Sequence, residues 1–400
     1  MSGIVVRRIG PTAYEALGPV FAELARHALE PNPHMAPAAI AAATELVEAH
    51  DIVVLCAWHS EALDFERLVG VWALRYERGW RSGFAPVLVA PVLPLYEVSS
   101  LPVVDRDHAV EASRALLRYL LASSDLPHTL ALPLLPLSGP GHEALAEACR
   151  STGSTIATAE RWSRPVMIPQ AGDDPERYLR RALGSGYKKR MQQFRAVIKS
   201  GALTFRRSRG QAAVEALDGF LTLEAAGWKG QAGTAIACIP EDTAYFRRLA
   251  ALFAAEDGLQ IDTLLLDGQV LAMGLLIESA GRRHFLKIAY DETQGRHSPG
   301  RTLTIAMLRA DLGGTPPDFF DSGAGDGVDA GTYVWGERRE MGNALIGIGR
   351  RRIGLAHAAA LSRMWLRRLR RRQQGRSATA PMASDRKADS TFRNNPLLNQ

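Results

Sequence analysis

The period of the apolar residues changes several times along the chain, and the changes outline its elements. The clearest run starts at Leu259. LQIDTLLLDGQVLAMGLLIES reads as two strands around a tight turn, and RRHFLKIAYDE as a third strand. HSPGRTLTIAMLRADL then reads as a helix opened by proline and glycine, and DFFDSGAG as a strand that stops in a glycine-rich loop ending at Asp326.

Earlier segments follow the same logic. IVVRRI at Ile4–Ile9 reads as a strand, and Thr12 opens a helix with Leu17, Phe21, Leu24 and Ala25 on one face. The prolines of EPNPHMAP break the chain before a second helix that runs to His50. DIVVLCAWH and RLVGVWALRYE read as adjacent strands. The prolines between Pro86 and Val98 predict edge or irregular structure. A helix is expected at Asp107–Ser123, a strand at Leu130–Leu137 and a short helix at Gly141–Ser151. Around Glu160–Pro169 the pattern restarts. Asp173–Asp174–Pro175 opens a helix rich in Arg and Lys through Lys199, weakened at Gly184–Ser185–Gly186. Leu203–Arg207 is a strand, and Ala212–Ala226 and Thr243–Glu256 are helices. Helices followed by a strand hairpin thus occur twice, which predicts two domains, 1–160 and 165–345. Ile353–Leu369 predicts a basic amphipathic helix within 350–374, and 375–400 a disordered tail.

Composition narrows the class. With 400 residues, 46% apolar and 22% charged, the chain is globular. No uncharged apolar run reaches the ~18 residues of a membrane span, and the N-terminus predicts no cleaved leader. The three cysteines, Cys56, Cys149 and Cys238, lie far apart, which argues against a disulfide framework and a metal site and for a reducing cytoplasm. The basic balance is local. Residues 350–400 hold 13 Lys/Arg against two Asp, net +11, while the remainder is net −5. The charge therefore gives no general argument for nucleic-acid binding.

Five places carry candidate chemistry. At His297–Ser298–Pro299–Gly300–Arg301–Thr302 a helix begins directly after a strand. Its free N–H groups and dipole suit a pyrophosphate, glycine permits close approach, and Arg301 suits a phosphate; the same letters also open ordinary helices. Gly227–Trp228–Lys229–Gly230 reads as a ligand-contacting turn, with Trp228 and Lys229 as substrate contacts, or as a helix end with Trp228 in the core. Glu224 lies one helical turn earlier and, like Asp321, is a candidate general base. Asp321, at the end of its strand, suits a general base or a turn-forming acceptor. Tyr290 suits a general acid toward a leaving thiolate, or simple packing. Lys287 and Tyr290 are expected on opposite strand faces. The basic stretch Tyr187–Lys188–Lys189–Arg190, with Arg180, Arg181 and Arg195, reads as a phosphate or tRNA contact, or as a solvated face.

Taken together, YKKRMQQFR, GWKG, LLLDGQVLAMGLL, AYDE, SPGRTL and FFDSGAGD resemble the GNAT-type acetyltransferase domain of CelD-like proteins, found with cellulose and exopolysaccharide biosynthesis clusters. That group is related to the Fem-type aminoacyltransferases. The resemblance spans most of residues 1–345 and is strongest from Ser185 to Arg339. It implies an α/β (α+β) fold of tandem GNAT-like domains with mixed, mostly antiparallel sheets flanked by helices. It also implies acetyl-CoA or another acyl-CoA as donor, and an amine or hydroxyl of a sugar, polysaccharide precursor or small molecule as acceptor. HSPGRT stands where that group's Gln/Arg-x-x-Gly-x-Gly/Ala loop would be. Tyr333–Val334–Trp335 stands near the place of its Tyr–Lys pair. Two other functions fit the letters: an aminoacyl-tRNA-dependent transferase, and a non-catalytic adaptor of a polysaccharide machine that touches the membrane through its basic helix.

Overall fold

The computed structural model describes residues 3–62, 65–78, 86–325 and 334–349. Asp326, Tyr333 and the segments expected at 350–374 and 375–400 lie outside the described residues.

The first half contains β1 (Ile4–Ile9), α1 (Pro11–Glu15), α2 (Gly18–His27), α3 (Pro37–Ala43), β2 (Ile52–Ala62), β3 (Phe65–Glu77), β4 (Val87–Val89), β5 (Val103–Val104), α4 (Ala109–Ala122), β6 (Thr129–Pro136), α5 (Pro140–Thr152) and β7 (Thr155–Met167). The second half contains α6 (Pro175–Leu183), α7 (Tyr187–Ser200), β8 (Leu203–Arg209), α8 (Gln211–Ala226), α9 (Trp228–Gln231), α10 (Pro240–Ala255), β9 (Leu259–Leu266), β10 (Gln269–Ser279), β11 (Arg282–Tyr290), α11 (Pro299–Leu312), β12 (Phe319–Asp321) and β13 (Glu337–Gly347). Among the described residues no helix is long and apolar enough to cross a membrane.

Local chemistry explains most boundaries. The Asp174 carboxylate accepts from the N–H groups of Glu176 and Arg177 at 2.9 Å, so α6 starts there, with Pro175 in its first turn. Its weak spot becomes a single 3₁₀ turn at Gly184–Gly186 before α7. Asp267 and Gly268 both take positive φ, 50° and 78°, the conformation of a tight hairpin turn between β9 and β10. The single helix expected from Thr12 is two, α1 and α2, and the second helix ends at Ala43 rather than His50. Between Val89 and Leu101 the prolines leave irregular chain, as expected, with a cis bond at Ala90–Pro91.

Among the described residues all strands join one sheet. Its order is β1-β2-β3-β4-β6-β13-β7-β12-β11-β10-β9-β8, with β5 beside β3. The order β1-β2-β3-β4-β6 of the first half recurs as β8-β9-β10-β11-β12 in the second. In each half the last pair is parallel, β4 with β6 and β11 with β12, and a helix, α4 or α11, makes the crossover. The other pairs are antiparallel. Two central strands join the halves: β7, and β13, which lies between β6 and β7. Sequence reading did not foresee β13. Helices cover both faces of the sheet. α8, α10 and the first-half helices share one apolar core, and α6, α7 and α11 close another with Phe285, Phe320 and Trp335.

Candidate active site

A fork in the sheet defines the site. β12 pairs with β11 only at Arg282, Arg283 and His284. β11 then runs on from Phe285 to Tyr290 with no β12 residue beside it. The chain after β12 turns away at Gly323, whose φ is +65° and where a Cβ would lie 2.5 Å from the Phe285 carbonyl oxygen. A bulge marks the same place: Leu275 pairs with Lys287 and Leu276 with Phe285, leaving Leu286 as an extra residue. Bulges of this kind redirect side chains and backbone groups. Here Leu286 packs in the core on the α8 side and Lys287 reaches Glu224 of α8, while Ile288 and Tyr290 join the core on the α11 side. The two faces expected for Lys287 and Tyr290 are thus seen, with a bulge between them and the last described contacts of β12.

β11 leads directly to the start of α11. Ser298 is left-handed, φ 45°, and its side chain makes no capping bond. Pro299 has no N–H, and the Thr302 N–H is taken by the Ser298 carbonyl at 3.0 Å, which leaves the Gly300 N–H as a first-turn donor. His297 and Thr302 lock the turn: Thr302 Oγ1 donates to the His297 carbonyl at 2.7 Å, and His297 Nε2 accepts from Arg296 Nε at 3.0 Å. A Cβ on Gly300 would sit 3.2 Å from Ile288 Cδ1, so helix and strand are in close contact there. A cleft of about 280 Å³ opens at this point. Arg296, Ser298 and Arg301 line one side, and Arg190, Gln193 and Phe194 of α7 the other. The basic helix singled out in the sequence is therefore one wall of the expected phosphate site.

On the opposite face of β11 stands a charged cluster. Glu224, 3% exposed, accepts from Lys229 Nζ at 2.8 Å and from the Ile236 N–H at 2.9 Å, and Lys287 Nζ lies 3.6 Å away. Burial pushes the Glu224 carboxyl up, but Lys287 and Lys229 outweigh it and hold it below the usual range. Burial pulls the Lys287 ammonium below its usual value, against the attraction of Glu224. Lys287 also faces the rings of Tyr96 and Phe246. Lys229 Nζ lies 3.4 Å from the Ile288 carbonyl, on the stretch of β11 beyond β12. The GWKG letters make this possible. A Cβ at Gly230 would overlap the Ala225 carbonyl at 1.8 Å, so only glycine permits the sharp turn that aims Lys229 at the strand. The Trp228 backbone N–H donates to Glu292 at 2.7 Å, and the residue is half-buried. Sequence reading did not assign Lys287; a charged residue inside an apolar strand was its only signal.

Asp321 lies deeper. It is 2% exposed, accepts from the Gly323 N–H at 2.8 Å and pairs with Arg164 of β7 at 3.3 Å. Arg164 in turn donates to the Val98 and Ala324 carbonyls at 2.7 and 2.8 Å. This network ties β7, β12 and the first-half segment around Val98 together at the mouth of the fork. In the same segment Tyr96 hydrogen-bonds Asp242, and Glu97 is buried, its carboxylate accepting from the Leu93 N–H at 2.8 Å. Burial pushes the Glu97 carboxyl up to about 8.

Fork, bulge and helix start meet at the far end of β11. Residues 185–327 match the acetyltransferase (GNAT) domain family. The chain therefore carries a GNAT acetyltransferase domain and is an acyltransferase of that type. No curated protein matches it in sequence. Among solved structures, FemX aligns at 12% identity over 86% of this chain and 98% of its own, with a TM-score of 0.58. The C-terminal domain of a protein described as a lysylphosphatidylglycerol synthetase from Agrobacterium fabrum aligns at 11% identity over 88% of this chain and 96% of its own, with a TM-score of 0.52. Both likenesses are of fold.

Proposed function

We propose that the chain moves an acyl group from an acyl-CoA thioester to an amine or hydroxyl of a small molecule or saccharide precursor. The overhang of β11 beyond β12, ending at the uncapped start of α11, carries this reading. Phosphates of the donor would sit against the Gly300 N–H, with Arg190, Arg296 and Arg301 around them. The thioester would then lie along Leu286–Tyr290. The acceptor attacks the carbonyl carbon, and the developing oxyanion is met by backbone N–H groups of β11 and by the Lys229 ammonium. The Glu224–Lys287 pair takes the acceptor's proton, and Tyr290 protonates the departing thiolate. Asp321, fully engaged with Arg164 and Gly323, acts by holding the mouth of the fork. A saccharide acceptor rests on the resemblance of the sequence to CelD-like proteins.

A second reading replaces CoA with aminoacyl-tRNA. The exposed Lys188, Lys189 and Arg195 of α7, beside the same cleft, favour it. Calorimetry with acetyl-CoA and a longer acyl-CoA, on the full chain and on Gly300→Trp, separates the two. Saturable binding lost in the variant supports the CoA reading. Absence of binding to either protein, together with tRNA binding that falls steeply with salt, supports the second. CoA binding retained by the variant removes the α11 cleft from the site.

A further inference from the structure

A second cleft, about 560 Å³, opens at the other end of the sheet, between the edge strand β1 and α4. Eight strand spacings, roughly 40 Å, separate β1 from β11. Ile4 and Val6 form its apolar floor. Glu111, Arg114 and Arg118 line it from one face of α4, and His59 and His108 form an end wall, their ring centroids 4.5 Å apart.

The charges of this face are incompletely answered by the protein. Arg114 donates from Nε to the Ser151 hydroxyl at 2.9 Å. Glu111 and Arg118 have no ion-pair or hydrogen-bond partner among the described residues. Arg114 and Arg118 are four apart on a helix, an arrangement in which like charges repel. His59 Nδ1 is shut away from solvent with no hydrogen-bond partner, and buried polar atoms of this kind normally have one. An anion between the two guanidiniums would relieve their repulsion. Glu111 lies seven residues from Arg118, roughly 10 Å along the helix, so a ligand that reaches both needs a donor group about that far from its anion. The volume is that of a small-molecule site rather than a polymer groove.

We propose that this cleft binds a small organic phosphate that also carries a hydroxyl or amino donor. Arg114 and Arg118 hold the phosphate, Glu111 accepts from the donor group, and the two imidazoles close the end of the site. The first half then has a binding role of its own, separate from the fork.

Glucose 6-phosphate titrated into the full chain, read by the ring-proton resonances of His59 and His108 (assigned with His59→Gln and His108→Gln), tests this. Saturable shifts are expected. They should weaken at least tenfold in the Arg114→Gln/Arg118→Gln double variant, and glucose alone should leave the rings unmoved. Circular dichroism of the double variant should match the parent, since Arg118 is exposed. Absence of saturable shifts, or equal affinity in the folded double variant, overturns the proposal. So does a response abolished by Gly300→Trp, which would place the ligand in the α11 cleft.

Discussion

Single carboxylates show how burial and charge divide the work. Glu97 has a folded-state pKa of about 8, above the unfolded value near 4.5. The folded chain holds that proton where the unfolded chain has released it, so this contribution to stability is full below about pH 4.5 and fades as pH rises toward 8. Glu97→Gln should remove the fade. Urea unfolding should find the variant gaining on the parent between pH 5 and 8, by an amount on the order of 2–4 kcal/mol. A constant difference across that window would rule the assignment out. Glu30 is the opposite case. It accepts from the Gly141 N–H at 3.1 Å, pairs with Arg282 at 3.1 Å and also binds Arg339. Burial pushes its carboxyl up, yet the two arginines outweigh that and hold it below the usual range. Glu30→Gln leaves both cations underpaired and should cost about 3 kcal/mol in the same assay. At the fork, Lys229→Met should lower kcat/KM about a hundredfold with the fold intact, measured by release of free thiol. An unchanged rate would exclude Lys229 from the oxyanion's surroundings. His297 to Thr302 were visible as a group in the sequence because they are contiguous and follow a strand. The partners of Glu224 and Asp321 were not, because Lys287 and Arg164 arrive from elements 63 and 157 residues away.

Elements were legible where period and punctuation agreed. α4, α6, α8 and α10 and the β9–β10–β11–α11–β12 run follow directly from apolar spacing, caps and turn residues. β13 did not. Its letters, ERREMGNALIG, carry charges at one end and Gly342–Asn343 in the middle, and its buried side is set by neighbours far away in sequence. The glycine is required there: a Cβ at 342 would come within 2.7 Å of the Glu160 carbonyl and of Leu137. Gly342→Val should therefore destabilise the protein by about 3 kcal/mol, seen as a lowered urea midpoint. A neutral result would mean that β7 can move aside. The GWKG turn repeats the lesson at smaller scale. Its glycines were readable as a turn, but the purpose of the turn, bringing Lys229 to β11, depends on a strand 60 residues later.

At the scale of the molecule, the repeated strand order shows two similar halves, yet the sheet that joins them is continuous. Residues 1–160 alone would lack β13, leaving β6 with an open inner edge. That fragment should elute as aggregate or expanded chain on gel filtration and show no cooperative thermal transition; a compact, cooperative fragment would show that the first half needs nothing from the second. The position of β13 also sets a clock for a chain made from its N-terminus. β6 is complete at Pro136, but its partner is not finished until Gly347. At ~5–20 residues per second, a ribosome takes roughly 10–40 s to cover that gap. Throughout that time the middle of the sheet is an unpaired edge, and the newborn chain depends on whatever shields it until the last strand slides in.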